Sequence, residues 1–201
     1  WDGVDVMPLG DVGASGAACF DATGTRLVCG GHMLRVFDTV TGQMLGESDW
    51  LRDEGVGVAL APDGERVLYT GWYINDALVD IATMNAIPFQ GHDNTTYAVF
   101  WPEGDGPITL GLGGEARLWN ATATRPEREL VTGLPEATAA AVSADGSTLV
   151  VGNDRLRRFP LDDPSVLRGY ETFVYRLAFS PDDRYLATSM FNDPEIVLWD
   201  R

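Results

Sequence analysis

The chain has 201 residues, of which 45% are hydrophobic and 22% charged, enough to bury a core and too apolar for a disordered tail. Its 14 basic residues, all of them Arg, face 30 Asp and Glu, and the resulting charge of −16 excludes a binding mode built on neutralising phosphate backbones. No run reaches the ~20 apolar residues of a membrane-spanning helix, so neither nucleic acid nor membrane is an expected partner, and a soluble cytoplasmic chain is expected.

Residues 1–10 begin at Trp1 instead of Met, without a charged leader or an apolar signal core. They read as the remnant of a preceding unit or as a closing strand, in a piece cut from a longer polypeptide. The first full unit, about 11–48, turns at Ala22-Thr23-Gly24, runs on as Arg26-Leu27-Val28-Cys29 and ends at Phe37-Asp38. Cys19 and Cys29 lie in apolar strand-like runs and read as small buried hydrophobes. The second unit, about 49–90, places Val58-Ala59-Leu60 before the turn Pro62-Asp63-Gly64 and Arg66-Val67-Leu68-Tyr69 after it, closing at Val79-Asp80. The third, about 91–131, opens on Gly91-His92, continues from Tyr97 to Trp101 into Gly104-Asp105-Gly106, and closes at Trp119-Asn120. The fourth, about 132–168, runs from Ala139 to Val142, turns at Ala144-Asp145-Gly146, resumes as Thr148-Leu149-Val150-Val151 and closes at Phe159-Pro160. The fifth, about 169–201, carries Leu177-Ala178-Phe179, Pro181-Asp182-Asp183, Tyr185-Leu186-Ala187-Thr188 and finally Trp199-Asp200.

Two landmarks report one period. The second residue of the closing pair, at 2, 38, 80, 120, 160 and 200, advances by 36, 42, 40, 40 and 40, and the polar turn, beginning at 22, 62, 104, 144 and 181, advances by 40, 42, 40 and 37. No segment sustains a 3.6-residue apolar period, whereas short β-type runs alternate with Gly, Asp, Asn and Pro, giving four strands per unit. A four-stranded sheet of ~40 residues cannot cover both of its faces alone, and radial stacking solves this while leaving only short edges. The fold class is therefore all-β, a β-propeller of four-stranded antiparallel blades with about five blades visible. The Ala- and Gly-rich run before each turn would be the innermost strand, and Arg176 would point into the channel.

The aromatic-Asp pair at a period of 40, the Pro-Asp turn and Gly91-His92 ahead of the strand at Tyr97 together resemble the WD-repeat propeller family, with the fifth unit the best match. The resemblance covers essentially the whole chain. It implies a hydrogen-bonded brace of His, Ser or Thr, Asp and Trp within a blade. Repeat three offers His92 and Trp119 but Gly113-Gly114 where the Asp would fall, and repeat five offers Ser189, Asp193 and Trp199 but Tyr170 in place of His, so no repeat keeps the full set. Propellers of this family typically have seven blades, which would need roughly 280 residues at ~40 each. Five repeats thus read as an open arc or a fragment of a larger propeller; the other reading closes a five-bladed ring with residues Val4 to Met7.

From turn marker to closing pair the repeats span 14, 16, 14, 14 and 17 residues, so the loops between second and third strands are longer in repeats two and five. In a propeller these loops share a face with the connections between blades. The candidates for a partner-binding face are Trp50, Arg52, Trp72, Tyr73, His92, Asp93, Tyr170, Phe173 and Phe191, since loop aromatics and Arg on a rigid scaffold favour interface centres. A brace role competes for His92, and folding back over the core competes for Trp72, Tyr73 and Phe191. The resemblance implies a non-catalytic protein-protein interaction scaffold, and the charge predicts a protein or peptide partner of basic character. With two His and no closely spaced ligand set, no catalytic residue, metal or cofactor is expected; the alternative is a propeller enzyme or metal-dependent hydrolase with a site at the channel mouth.

Overall fold

The computed structural model describes residues 9, 17–21, 23–48, 55–71, 76–89, 92, 95–102, 106–120, 126–131, 137, 139–153, 156–160, 174–190 and 194–200. Among them are eighteen strands and no helix, arranged in five antiparallel sheets that follow one another along the chain. Blade one comprises β1 (Ala18–Phe20), β2 (Arg26–Gly30), β3 (Leu34–Asp38) and β4 (Met44–Ser48). Blade two comprises β5 (Gly55–Leu60), β6 (Arg66–Gly71), β7 (Asp76–Asp80) and β8 (Ala86–Phe89), and blade three β9 (Thr95–Phe100), β10 (Pro107–Gly111), β11 (Glu115–Trp119) and β12 (Pro126–Val131). Blade four contains β13 (Ala139–Val142), β14 (Thr148–Gly152) and β15 (Leu156–Pro160), and blade five β16 (Val174–Phe179), β17 (Tyr185–Met190) and β18 (Ile196–Asp200). Each sheet is a meander in which sequence neighbours are hydrogen-bonded neighbours.

In blades one, two, four and five the polar tripeptides make the turns that the sequence pattern calls for, and Gly104 and Asp105 of blade three lie outside the described residues. Gly24, Gly64 and Gly146 take φ values of +70°, +71° and +67°, a left-handed conformation that costs Gly nothing. Blade five places Asp183 there instead, at φ 58°. At the turn after the third strand, the Asp38 carboxylate accepts from the Val40 and Thr41 amides at 2.9 and 2.7 Å, and Asp80 accepts from the Thr83 amide at 2.8 Å. These Asp side chains hold the backbone while it reverses, as expected of Asp in turns.

Alternation along the third strand fixes which side chains enter which interface. In blades two to five the closing apolar residue (Val79, Trp119, Phe159, Trp199) faces back toward the preceding blade, and by the same alternation the residues one and three places before it face the other way, as Leu34 and Val36 do in blade one. Val28, Leu34 and Val36 of blade one accordingly pack with Val67, Tyr69, Ala77 and Val79 of blade two. Ala59, Leu68 and Leu78 meet Phe100 and Trp119. Ile108, Leu110, Ala116 and Leu118 meet Ala140, Leu149, Val151 and Phe159, and Ala139, Ala141, Val150 and Leu156 meet Val174, Leu177, Leu186 and Trp199.

These four apolar seams make a propeller arc of five blades. Among the described residues no apolar core joins blade five to blade one. The forward face of blade five, where Ala178, Ala187 and Leu198 stand in register, is open: Ile196 is 73% and Leu198 62% exposed. Phe20, on the backward face of blade one beside Leu27 and Met44, is 62% exposed.

Cys19 and Cys29 are both free thiols. Cys19 pairs with Val28 and Cys29 with Ala18, so the two occupy opposite faces of the sheet. Burial pushes the Cys19 thiol up to about 11, which keeps it protonated and inert at neutral pH. Arg176 lies with its guanidinium 4.1 Å from the centre of the Tyr175 ring, and its Nη1 donates to the Tyr175 carbonyl at 2.8 Å. Tyr175 is itself exposed.

Candidate functional site

The end of the arc that carries the loops between second and third strands also carries His92, and there the sequence expectation for repeat three is corrected. His92 is described, and its side chain is fully buried. Its Nδ1 lies 2.8 Å from Glu115 Oε1 and its Nε2 2.8 Å from Thr109 Oγ1, while Trp119 Nε1 donates to the same Thr109 oxygen at 2.8 Å. One neutral tautomer satisfies the whole chain: the Trp119 indole donates to Thr109, the Thr109 hydroxyl to His92 Nε2, and His92 Nδ1–H to the Glu115 carboxylate. Burial lowers the His92 pKa more than the Glu115 hydrogen bond raises it, so the contact is a hydrogen bond from a neutral imidazole to a carboxylate and not an ion pair at neutral pH. Partial burial opposes the charge on Glu115, yet the His92 hydrogen bond, with smaller contributions beside it, holds its carboxyl below the usual range.

Repeat three therefore has a complete brace. The carboxylate comes from Glu115, two residues beyond the Gly113 position where the sequence pattern places it. The longer Glu side chain folds back into space that Gly111 and Gly113 leave open. A Cβ at Gly113 would lie 2.6 Å from Glu115 Oε2, and a Cβ at Gly111 would run into both Glu115 Oε1 and His92 Nδ1. In repeat five the hydroxyl is Thr188, not Ser189: Trp199 Nε1 donates to Thr188 Oγ1 at 3.1 Å. Thr188 pairs with Val197, two residues from Trp199 and so on the same face, whereas Ser189 pairs with Ile196 on the other. Asp193 lies outside the described residues.

Blade two departs from both plans. Its closing residue is Val79, and at the register position of Thr109 and Thr188 it has Tyr69, whose buried hydroxyl donates across the seam to the Gly31 carbonyl of blade one. At the loop end of this blade Asp76, the first residue of β7, is buried with 3% exposure. Its Oδ2 accepts from the Thr95 hydroxyl of blade three, and its Oδ1 is buried without a hydrogen-bond partner. Burial outweighs the opposing influence of the Thr95 hydroxyl and the nearby Gly71 backbone and pushes the carboxyl up to about 7. The sequence pattern does not single out Asp76, which stands at the end of the lengthened loop of repeat two. The signal that finds it is the forward-facing position three residues before the closing residue, which is Leu34, Asp76, Ala116, Leu156 and Ile196 in the five repeats.

Of the other candidate face residues, Trp50, Arg52, Trp72, Tyr73, Asp93, Tyr170, Phe173 and Phe191 lie outside the described residues. Leu112, in the hairpin of blade three at this same end, is exposed. Among the described residues no group of three or more His, Cys, Asp and Glu is placed to hold a metal ion, and no helix is long and apolar enough to cross a membrane.

Compared with known families, residues 163–200 match the model of the WD domain, G-beta repeat. No curated protein matches the chain.

Proposed function

We propose, from the match of residues 163–200 to the WD-repeat model and the repeat pattern of the chain, a non-catalytic scaffold whose loop-bearing end captures a basic protein or peptide segment. Repeats of this family generally mediate protein-protein interaction, and WD-repeat proteins are typically non-enzymatic. The lengthened loops of repeats two and five, with Trp72, Tyr73 and Phe191, supply anchors of the residue types that favour interface centres. A part in a larger multidomain protein fits the same reading.

The observation that carries the choice of partner is the charge of −16, which makes approach of a cationic segment favourable from a distance and approach of an acidic one unfavourable. The test immobilises the chain and follows association of matched Arg-rich and Glu-rich peptides while salt is raised. The Arg-rich peptide should bind, with an association rate that falls as the Debye length shrinks from ~10 Å at 0.1 M to ~3 Å at 1 M. Equal binding of the Glu-rich peptide, or a rate indifferent to salt, would overturn the proposal.

A further inference from the structure

Packing does not account for Asp76. At its position the neighbouring repeats use Leu34, Ala116 and Leu156, all buried against the following blade. In the seam between blades four and five, Leu156 meets Val174; in the seam between blades two and three, the corresponding places hold Asp76 and Thr95, joined by a hydrogen bond. An apolar side chain would fill the seam, as it does elsewhere, without the desolvation cost of a carboxylate. Thr95 meets only one of the two carboxylate oxygens, and Oδ1 is left buried and unpartnered. No ion pair to Asp76 occurs among the described residues. Both Asp76 and Thr95 are the first residues of their strands, β7 and β9, so the carboxylate sits at the loop end of the seam.

We infer that the loop end of the seam between blades two and three is a cation-receiving site, in which the guanidinium or ammonium of a basic partner side chain completes the Asp76 carboxylate at Oδ1. This rests on the reading of the loop face as the surface that takes a basic segment, and it deepens that reading by naming the contact. A cation at Oδ1 supplies the missing donor and offsets the buried charge, which is how a half-satisfied carboxylate in an apolar seam becomes favourable.

The test uses the full chain with isotope-labelled Asp and methylguanidinium chloride as the probe. The carboxyl NMR signal of Asp76 is titrated with pH in methylguanidinium and in sodium chloride at equal ionic strength. Methylguanidinium should lower the titration midpoint by about one unit or more, the effect of an opposite charge within a few ångströms, and should shift the Gly71 and Thr95 amides saturably. Asp76→Asn, which keeps the volume and can still bond Thr95, should abolish the saturable amide shifts. Asp76→Leu, which restores the residue type of the other repeats, should do the same if the Asn variant folds poorly. An unmoved Asp76 midpoint, or amide shifts undiminished in both variants, would overturn the inference. Capture of the Arg-rich peptide undiminished by Asp76→Asn would also overturn it and leave the loop-face reading standing. A methylguanidinium response in a chain that captures no basic peptide would do the reverse.

Discussion

At the scale of single residues, the brace of blade three shows how a missing Asp is replaced. Glu115 can act for the shorter residue only because it has somewhere to put an extra methylene. That space is the absent Cβ of Gly111 and Gly113. The glycines and the glutamate are therefore one substitution spread over three positions, and they should fail together. Gly111→Ala is expected to destabilise the chain by about 1–3 kcal/mol, as overpacking of a close-packed site does, because the new methyl displaces Glu115 from His92. Urea unfolding measures the cost. In a Glu115→Ala background the same Gly111→Ala change should cost clearly less, and an undiminished cost would show that the glycine serves the hairpin backbone and not the brace.

At the scale of elements, the turns between first and second strands also link blades. Asp183, in the left-handed conformation that Gly adopts in blades one, two and four, accepts from the Ala144 and Asp145 amides of the blade-four turn at 2.6 and 2.8 Å. Arg26 of blade one reaches the Gly64 carbonyl of the blade-two turn at 3.3 Å. If backbone conformation alone mattered, Asp183→Gly would be neutral or stabilising, since Gly has no Cβ penalty at positive φ. The clamp predicts the opposite sign, a loss of about 1 kcal/mol on removing carboxylate-to-amide hydrogen bonds at a partly exposed site. Thermal melts of the two proteins decide between these, and a raised melting temperature for Asp183→Gly would dismiss the clamp.

The strands themselves were legible because their signals are local. Turn residues are punctuated every 40 residues or so, and apolar runs such as Ala139-Ala140-Ala141-Val142 coincide with a strand end to end. What escaped the sequence were facts about register and depth. Choosing Thr188 over Ser189 requires knowing which of two adjacent residues shares a face with Trp199, and that depends on the pairing with β18. Recognising Glu115 requires knowing that its side chain folds back over two glycines, which no spacing rule states. Asp76 stands out from other loop-end carboxylates only in the register of the five third strands, where its companions are apolar. Residues such as Trp72 and Phe191 fall in segments without a period, where pattern carries no information about direction.

At the scale of the whole molecule, two forces of opposite salt dependence act on the same chain. The charge of −16 repels like copies and attracts cationic segments, and both effects weaken as salt rises. The open forward face of blade five, with Ile196 73% and Leu198 62% exposed beside Ala178 and Ala187, is the kind of face that every other seam of the arc buries. Its burial is driven by removal of apolar area from water, worth roughly 25 cal/mol per Å², which salt does not diminish. Self-association should therefore increase with salt under the conditions that weaken capture of a basic peptide. Replacing both Ile196 and Leu198 by Glu should remove that association. Because both side chains are already largely in water, the double variant should keep its unfolding free energy to within about 0.5 kcal/mol. Sedimentation velocity across a salt series, with a urea melt of each protein, checks the two halves separately. A wild-type chain that sediments as the double variant does at every salt concentration would show that this face is not adhesive. A double variant that unfolds much earlier would show that Ile196 and Leu198 are covered in solution by part of the chain itself.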